Sequence, residues 1–191
     1  MKLTASTNPA LILIDIQKGF ENIEYWGEER NNPSAELRAR ELLEMWRDLK
    51  LPVFHIKHCS NTLTSLLHES NVGNDFNDFV IPSNQEAIIK KSVNSAFIGT
   101  NLQSQLDRAN INTLCIAGLT TDQCVSSTTR MAGNMGYNTF LVSDASATFN
   151  KKGIDGRNYS AELIHQTALA SLNNEFAFIV NSDFVKRELF N

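Results

Sequence analysis

A chain of 191 residues that is 42% hydrophobic is long enough for one sizeable core and too short for two comfortable domains, so one domain spanning 1–191 is expected. A net charge of −4 gives no electrostatic attraction to nucleic acid or to an anionic membrane, and neither is expected as a partner. Near the N-terminus the longest apolar run, Ala10–Ile14, is cut by Asp15; it is too short for a signal-peptide core or a membrane span, so a cytoplasmic location is expected.

Pro9–Ile16 is a nearly continuous apolar run, as in a strand buried on both faces of a parallel sheet. A loop over Gln17–Asn32 follows. Pro33 and Ser34 then open a helix with Leu42, Met45, Trp46 and Leu49 on one face. Pro52–His58 and Glu86–Lys90 read as the second and third strands. Between them Ser60–Asn84 is a long polar loop with a helical turn at Leu63–His68, and a loop that long suits a lid or binding segment.

After Gly99 comes a helix carrying Leu102, Leu106 and Ala109. A fourth strand, Asn112–Ala117, is closed by Gly118, and Gln123–Met135 is helical until Gly136 caps it. Asn138–Ser143 is the fifth strand. The helix Ala161–Leu172, the strand Glu175–Val180 and a terminal helix around Asp183–Leu189 complete the chain. Strands alternating with helices in this way imply right-handed crossovers and a parallel sheet covered on both faces, a three-layer α/β/α architecture.

In such a sheet ligands bind beyond the carboxyl ends of the strands, where strand order reverses. Asp15 closes the first strand, Lys91 the third, and Thr120–Cys124 follows the fourth. Asp15 lies between Ile14 and Ile16, so its carboxylate is expected to be partly buried and to need a partner; a capping or turn aspartate is the plainer reading. Lys91 taken alone reads best as an exposed lysine at a strand end. Of the three cysteines, Cys115 lies in an apolar run and Cys59 ends the second strand. Cys124 stands at a helix start, where a thiolate is favoured, and reads equally as nucleophile or structural thiol. An odd cysteine count without C-x-x-C speaks against disulfides and a zinc site.

The segments LILIDIQKGF, KKSVNSAFIGTNL and IAGLTTDQCVSSTTRMAGNMGYNTFLVSDASAT resemble the three signature blocks of the isochorismatase-like cysteine hydrolases, in the same order from about residue 9 to 180. That superfamily includes nicotinamidases and other small-amide hydrolases. The resemblance implies a six-stranded parallel sheet in the order 3-2-1-4-5-6 and an Asp15–Lys91–Cys124 triad. It implies a cis peptide between Leu119 and Thr120, with the Thr120 and Cys124 amides facing an oxyanion. It implies hydrolysis of a C–N bond in a small amide, ureide or carbamoyl substrate through an acyl-enzyme on Cys124, the thiol being partly ionised. Homo-oligomers, dimeric or larger, are common in the family and expected here.

Metal-binding relatives carry Asp-x-His after the second strand. His58 could match the histidine, but Ile56 replaces the aspartate, and His55 and His58 point to opposite faces of a strand. Asp75 and Asp78 read as solvated. No metal or other cofactor is expected. Gln17, Phe20, Trp26, His58 and Phe97 are candidates for the substrate pocket. Phe149 could join its wall, and any of these aromatics could instead be core. His165 reads as a packed surface histidine or a pocket residue. Two rival readings stand beside the amidase: a vinyl-ether hydrolase working through Asp15, and a non-catalytic thiol sensor.

Overall fold

A computed structural model describes residues 2–190. β1 (Ala10–Ile14) lies near the middle of a parallel sheet, between β2 (Val53–His58) and β4 (Thr113–Leu119). β3 (Ala87–Lys91) pairs with β2 on one side, and β5 (Asn138–Ala147) and β6 (Phe178–Val180) extend the other. Counted along the chain, the order is 3-2-1-4-5-6, as the resemblance implied.

All five β1 side chains are buried because the alternation of a strand sends them to two cores. Leu11 and Leu13 pack on one face with α1 (Ala35–Asp48); Ile12 and Ile14 pack on the other with Ile56, Leu106 and Ile116. α1 turns Ala35, Ala39, Leu42, Leu43 and Trp46 inward, a 3.6-residue stripe, while Met45 and Leu49 lie at its margin. Trp46 is fully buried and its Nε1 donates to the Pro9 carbonyl at 2.8 Å, tying α1 to the start of β1.

Several elements differ from the sequence expectation. β4 runs on through Gly118 to Leu119. Gly118 has φ +133°, and a Cβ there would strike the Ile14 carbonyl, so this glycine lets the ends of β1 and β4 close together. β5 continues to Ala147 past a register shift opposite Ile116–Gly118. β6 begins only at Phe178, because the amides of Glu175, Phe176 and Ala177 all return to the Leu172 carbonyl, closing α4 (Ala161–Leu172) with a tight turn. No helix forms at Leu63–His68. The long loop runs through successive turns, then 3₁₀ turns at Val72–Asn74 and Asp78–Val80, in which the Gly73 and Phe79 amides donate to the side chains of Asn71 and Asn77.

α2 (Leu102–Arg108), α3 (Ser126–Asn134) and α5 (Ser182–Phe190) complete the layers, and a short hairpin joins Lys151–Lys152 to Asn158–Tyr159. Gly136 follows α3 at φ +85°, as a C-terminal cap. Among the described residues no helix is long and apolar enough to cross a membrane.

Candidate active site

Asp15 follows β1 directly, at φ +51°, a left-handed backbone that aspartate tolerates better than most residues. Its amide donates to the Ile56 carbonyl at 3.0 Å and its carbonyl accepts from the Gln17 amide at 2.9 Å, which fixes the carboxylate beneath the strand ends. The side chain is fully buried. It caps no helix.

Lys91 is the last residue of β3, opposite His58 in the register. Its side chain is fully buried, against the reading of an exposed strand-end lysine. Strand alternation turns Lys91 inward and leaves Lys90 outside, paired with Glu69 at 2.6 Å. Lys91 Nζ donates to Asp15 Oδ2 at 2.6 Å and to His58 Nδ1 at 3.1 Å. Asp15 Oδ1, equally buried, has no protein partner.

Cys124 completes the group. A carboxylate oxygen of Asp15, a ring nitrogen of His58 and Cys124 Sγ all lie within 4.8 Å of one another. The Leu119–Thr120 peptide is cis. From there the chain enters a π-type turn, Thr121–Val125, in which the Thr120 carbonyl accepts from the Gln123 and Val125 amides. α3 therefore starts at Ser126, two residues beyond the cysteine rather than at Gln123.

Burial pushes the Cys124 thiol up to about 12, with the neighbouring Asp15 carboxylate adding to the rise and Lys91 opposing it. The expectation of a partly ionised thiol is thus overturned: the sulfur is too enclosed, and the carboxylate beside it too close, for the helix start to prevail. Burial also lowers His58, and the Lys91 ammonium lowers it further, against the pull of Asp15. Around neutral pH the site rests as thiol and neutral imidazole.

Several expected pocket residues lie elsewhere. Gln17 is buried and fully engaged: Oε1 accepts from the His58 amide at 2.8 Å, and Nε2 donates to the His58 and Asn74 carbonyls. It staples β1, β2 and the long loop together and has no group left for substrate. Phe20 and Phe149 are core side chains stacked with Trp26. Trp26 keeps an exposed edge, on a cavity of about 440 Å³ shared with Tyr25, Asn150 and Lys151 and not with the triad. Phe97 stacks on Tyr137, which follows the glycine that ends α3.

His165 is buried rather than at the surface. Its Nδ1 lies 2.9 Å from Thr121 Oγ1, behind the cysteine turn. Asn94 was not anticipated: exposed in the loop after β3, it places Oδ1 3.8 Å from Cys124 Sγ. The only hint in the chain was its place between Lys91 and the Ser95-Ala96-Phe97 segment.

Asp15, His58 and Cys124 could each offer one ligand atom to a metal ion. The Lys91 ammonium, however, already bonds both Asp15 Oδ2 and His58 Nδ1, where a cation would have to compete with it. Ile56 supplies no carboxylate. Asp75 and Asp78 are exposed, and Asp78 pairs with Lys18.

Residues 9–184 match the family description "Isochorismatase domain". The chain is 46% identical over 174 residues to the uncharacterised isochorismatase family protein YrdC of Bacillus subtilis (strain 168), covering 91% of this chain and 92% of that protein. A solved isochorismatase-family structure from Chromobacterium violaceum superposes with a TM-score of 0.92 at 37% identity, covering 97% and 95% of the two chains. A shorter stretch of 104 residues, 54% of this chain, is 30% identical to Nicotinamidase 3 of Arabidopsis thaliana and covers 47% of it. This chain belongs to the isochorismatase family, and with it to that family's hydrolases.

Proposed function

We propose that the protein is a cysteine-dependent amidase that cleaves the C–N bond of a small amide, ureide or carbamoyl substrate through an acyl-enzyme on Cys124. The observation that carries this reading is the asymmetry of Asp15 beside the thiol: Oδ2 is held by Lys91, Oδ1 is buried and unpartnered, and the carboxylate comes within 4.8 Å of Cys124 Sγ. A buried acceptor left open beside a thiol is a base to which that thiol's proton can pass.

A thiol pushed up to about 12 is a poor nucleophile at rest, so the proton has to leave as the bond forms. Asp15 Oδ1 accepts it while Sγ attacks the carbonyl carbon. The Thr120 and Cys124 amides donate to the resulting oxyanion. As the C–N bond breaks, Asp15 returns the proton to nitrogen, releasing ammonia or an amine and leaving a thioester. Water then attacks the thioester, giving its proton to Asp15. Sγ recovers that proton as the acid departs. Lys91 stays protonated throughout and keeps Asp15 oriented.

The same open Oδ1 also suits a proton donor to a vinyl ether, the second reading. Lys91 pairs with the carboxylate form of Asp15, and the thiol would have no part in that reaction, so the amidase is preferred. A screen for ammonia release across small amides, ureides and carbamoyl acids tests the proposal. We expect release that disappears in Cys124→Ala; release that survives intact in that variant rejects the nucleophile.

A further inference from the structure

The groups that meet an incoming carbonyl differ in charge from what the residue list suggests. Lys91 is a cation, but its side chain is fully enclosed and bonded to Asp15 and His58. Two lysines beside other strand ends are also taken: Lys18, after β1, pairs with Asp78 at 2.8 Å, and Lys151, after β5, pairs with Asp122 at 3.1 Å. What remains open beside Cys124 is the free oxygen of the Asp15 carboxylate and groups that are polar and neutral.

His58 is the first such group. Lys91 Nζ has only protons to offer, so His58 Nδ1 must accept, and the proton of the neutral ring sits on Nε2. The ring is part-exposed, at 16% of its side chain, so this N–H is a donor of fixed tautomer at the mouth of the site. Asn94 is the second. Its Oδ1 receives the thiol proton's weak bond at 3.8 Å, and its exposed amide holds two N–H donors on the same group. Once Asp15 takes the thiol proton, the bond to Asn94 is lost and the amide is free to turn toward substrate.

Building on the amidase reading above, we infer that Asn94 and His58 form an uncharged hydrogen-bonding pair flanking Cys124, selecting small neutral amides and ureides over carboxylate-bearing ones. A substrate amide or ureide finds a donor on each side and an acceptor in Asn94 Oδ1. A substrate carboxylate near the scissile carbonyl would lose its water beside the Asp15 carboxylate and find the Lys91 ammonium already bonded to Asp15 and His58.

Alkylation of Cys124 by iodoacetamide and by iodoacetate isolates this choice, because the reagents differ only in amide against carboxylate. Rates at pH 9, read on the Cys124 peptide by mass spectrometry, are divided by those of the neutral thiol N-acetylcysteamine. We expect the normalised ratio to favour iodoacetamide by about tenfold, the scale of leaving a charged group without a partner. Asn94→Ala should slow iodoacetamide selectively, and Asn94→Lys should erase the preference. Equal normalised rates in the parent protein, or both reagents slowing together in Asn94→Ala, overturn the inference. In turnover, butyramide should exceed succinamate in kcat/KM by a similar factor, and a reversed order also overturns it. If the alkylation preference holds but no neutral amide releases ammonia, the amidase reading falls while a neutral recognition site at Cys124 stands.

Discussion

Lys91 Nζ lies 2.6 Å from Asp15 Oδ2, and both side chains are fully removed from solvent. Charges buried this deeply are sustained chiefly by each other, so removing one partner leaves the other with most of its desolvation cost uncompensated, typically about 3–5 kcal/mol. Lys91→Ala should therefore lower the denaturation midpoint as well as activity. The double variant Asp15→Asn with Lys91→Met should regain stability while remaining inactive. A Lys91→Ala protein as stable as its parent would show that the pair is not buried as described. The two activity losses should also be non-additive, since base and lysine act as one unit.

The resting state of Cys124 has its own signature. With the thiol pushed up to about 12, alkylation by iodoacetamide should keep accelerating with pH well beyond 9. Substrate turnover need not follow that profile, because Asp15 removes the proton within the step. An alkylation rate that levels off near pH 7 would mean a resting thiolate and would contradict the burial argument.

Asp15, Lys91 and Cys124 stood out as candidates because each follows an apolar run, and apolar runs are what bury themselves in the sheet; Lys91 alone still read as an exposed lysine, and only the family resemblance joined the three. Strand order then brings their ends to one crevice. Gln17 lies in the same sequence block as Asp15 and was misread, because a block says that a residue sits near the strand ends but not which way its side chain goes. Gln17 faces two carbonyls and an amide that come from β2 and a loop far along the chain. Phe97 stacks on Tyr137, with ring centroids 5.8 Å apart. The charge state of Cys124 was misread for a related reason: burial depends on everything packed around the sulfur, and a helix start is only one of those neighbours.

Acid sensitivity should originate at the opposite end of β2. His55 is fully buried and lowered by that burial, more than Glu86, 2.9 Å away, restores. Burial alone would push Glu86 up, but hydrogen bonds from Arg47, the Ser83 amide and His55 outweigh it and hold it at about 2. A histidine lowered in the fold loses stability as pH falls below its unfolded value near 6.5. A carboxylate lowered in the fold keeps its contribution above about 4.5 and loses it as pH falls toward 2. The urea midpoint should thus decline in two stages, below about pH 6.5 and again below about 4.5. Glu86→Gln should flatten the lower stage, and an unchanged acid limb in that variant would rule Glu86 out as its source.

Chelation should leave activity intact. Lys91 already occupies the position between Asp15 and His58 that a metal would need. Stoichiometric zinc or iron in the purified protein, lost together with activity on EDTA treatment, would overturn this.

The reaction class is decided by whether carbon ever bonds to Cys124. An amidase that uses the thiol passes through a thioester, whereas protonation of a vinyl ether by Asp15 involves no covalent enzyme species. A slow amide or ester substrate, quenched in acid during turnover, should leave the acyl mass on the peptide that contains Cys124. In Cys124→Ala that mass should vanish and turnover should fall by about 10⁴-fold or more, because Asp15 Oδ1 would then have no sulfur to activate. Cys124→Ser is the sharper control. It keeps a proton for Asp15 to take but offers a weaker nucleophile on a shorter bond, so any residual acyl species should be an ester that forms slowly. If isochorismate were instead consumed rapidly by Cys124→Ala, with no adduct in the parent enzyme, the open oxygen of Asp15 would be a proton donor to carbon and the vinyl-ether reading would replace the amidase. If neither substrate class turned over, the thiol-sensor reading would gain, but it would leave the fully buried Lys91–Asp15 pair beside the cysteine without a purpose.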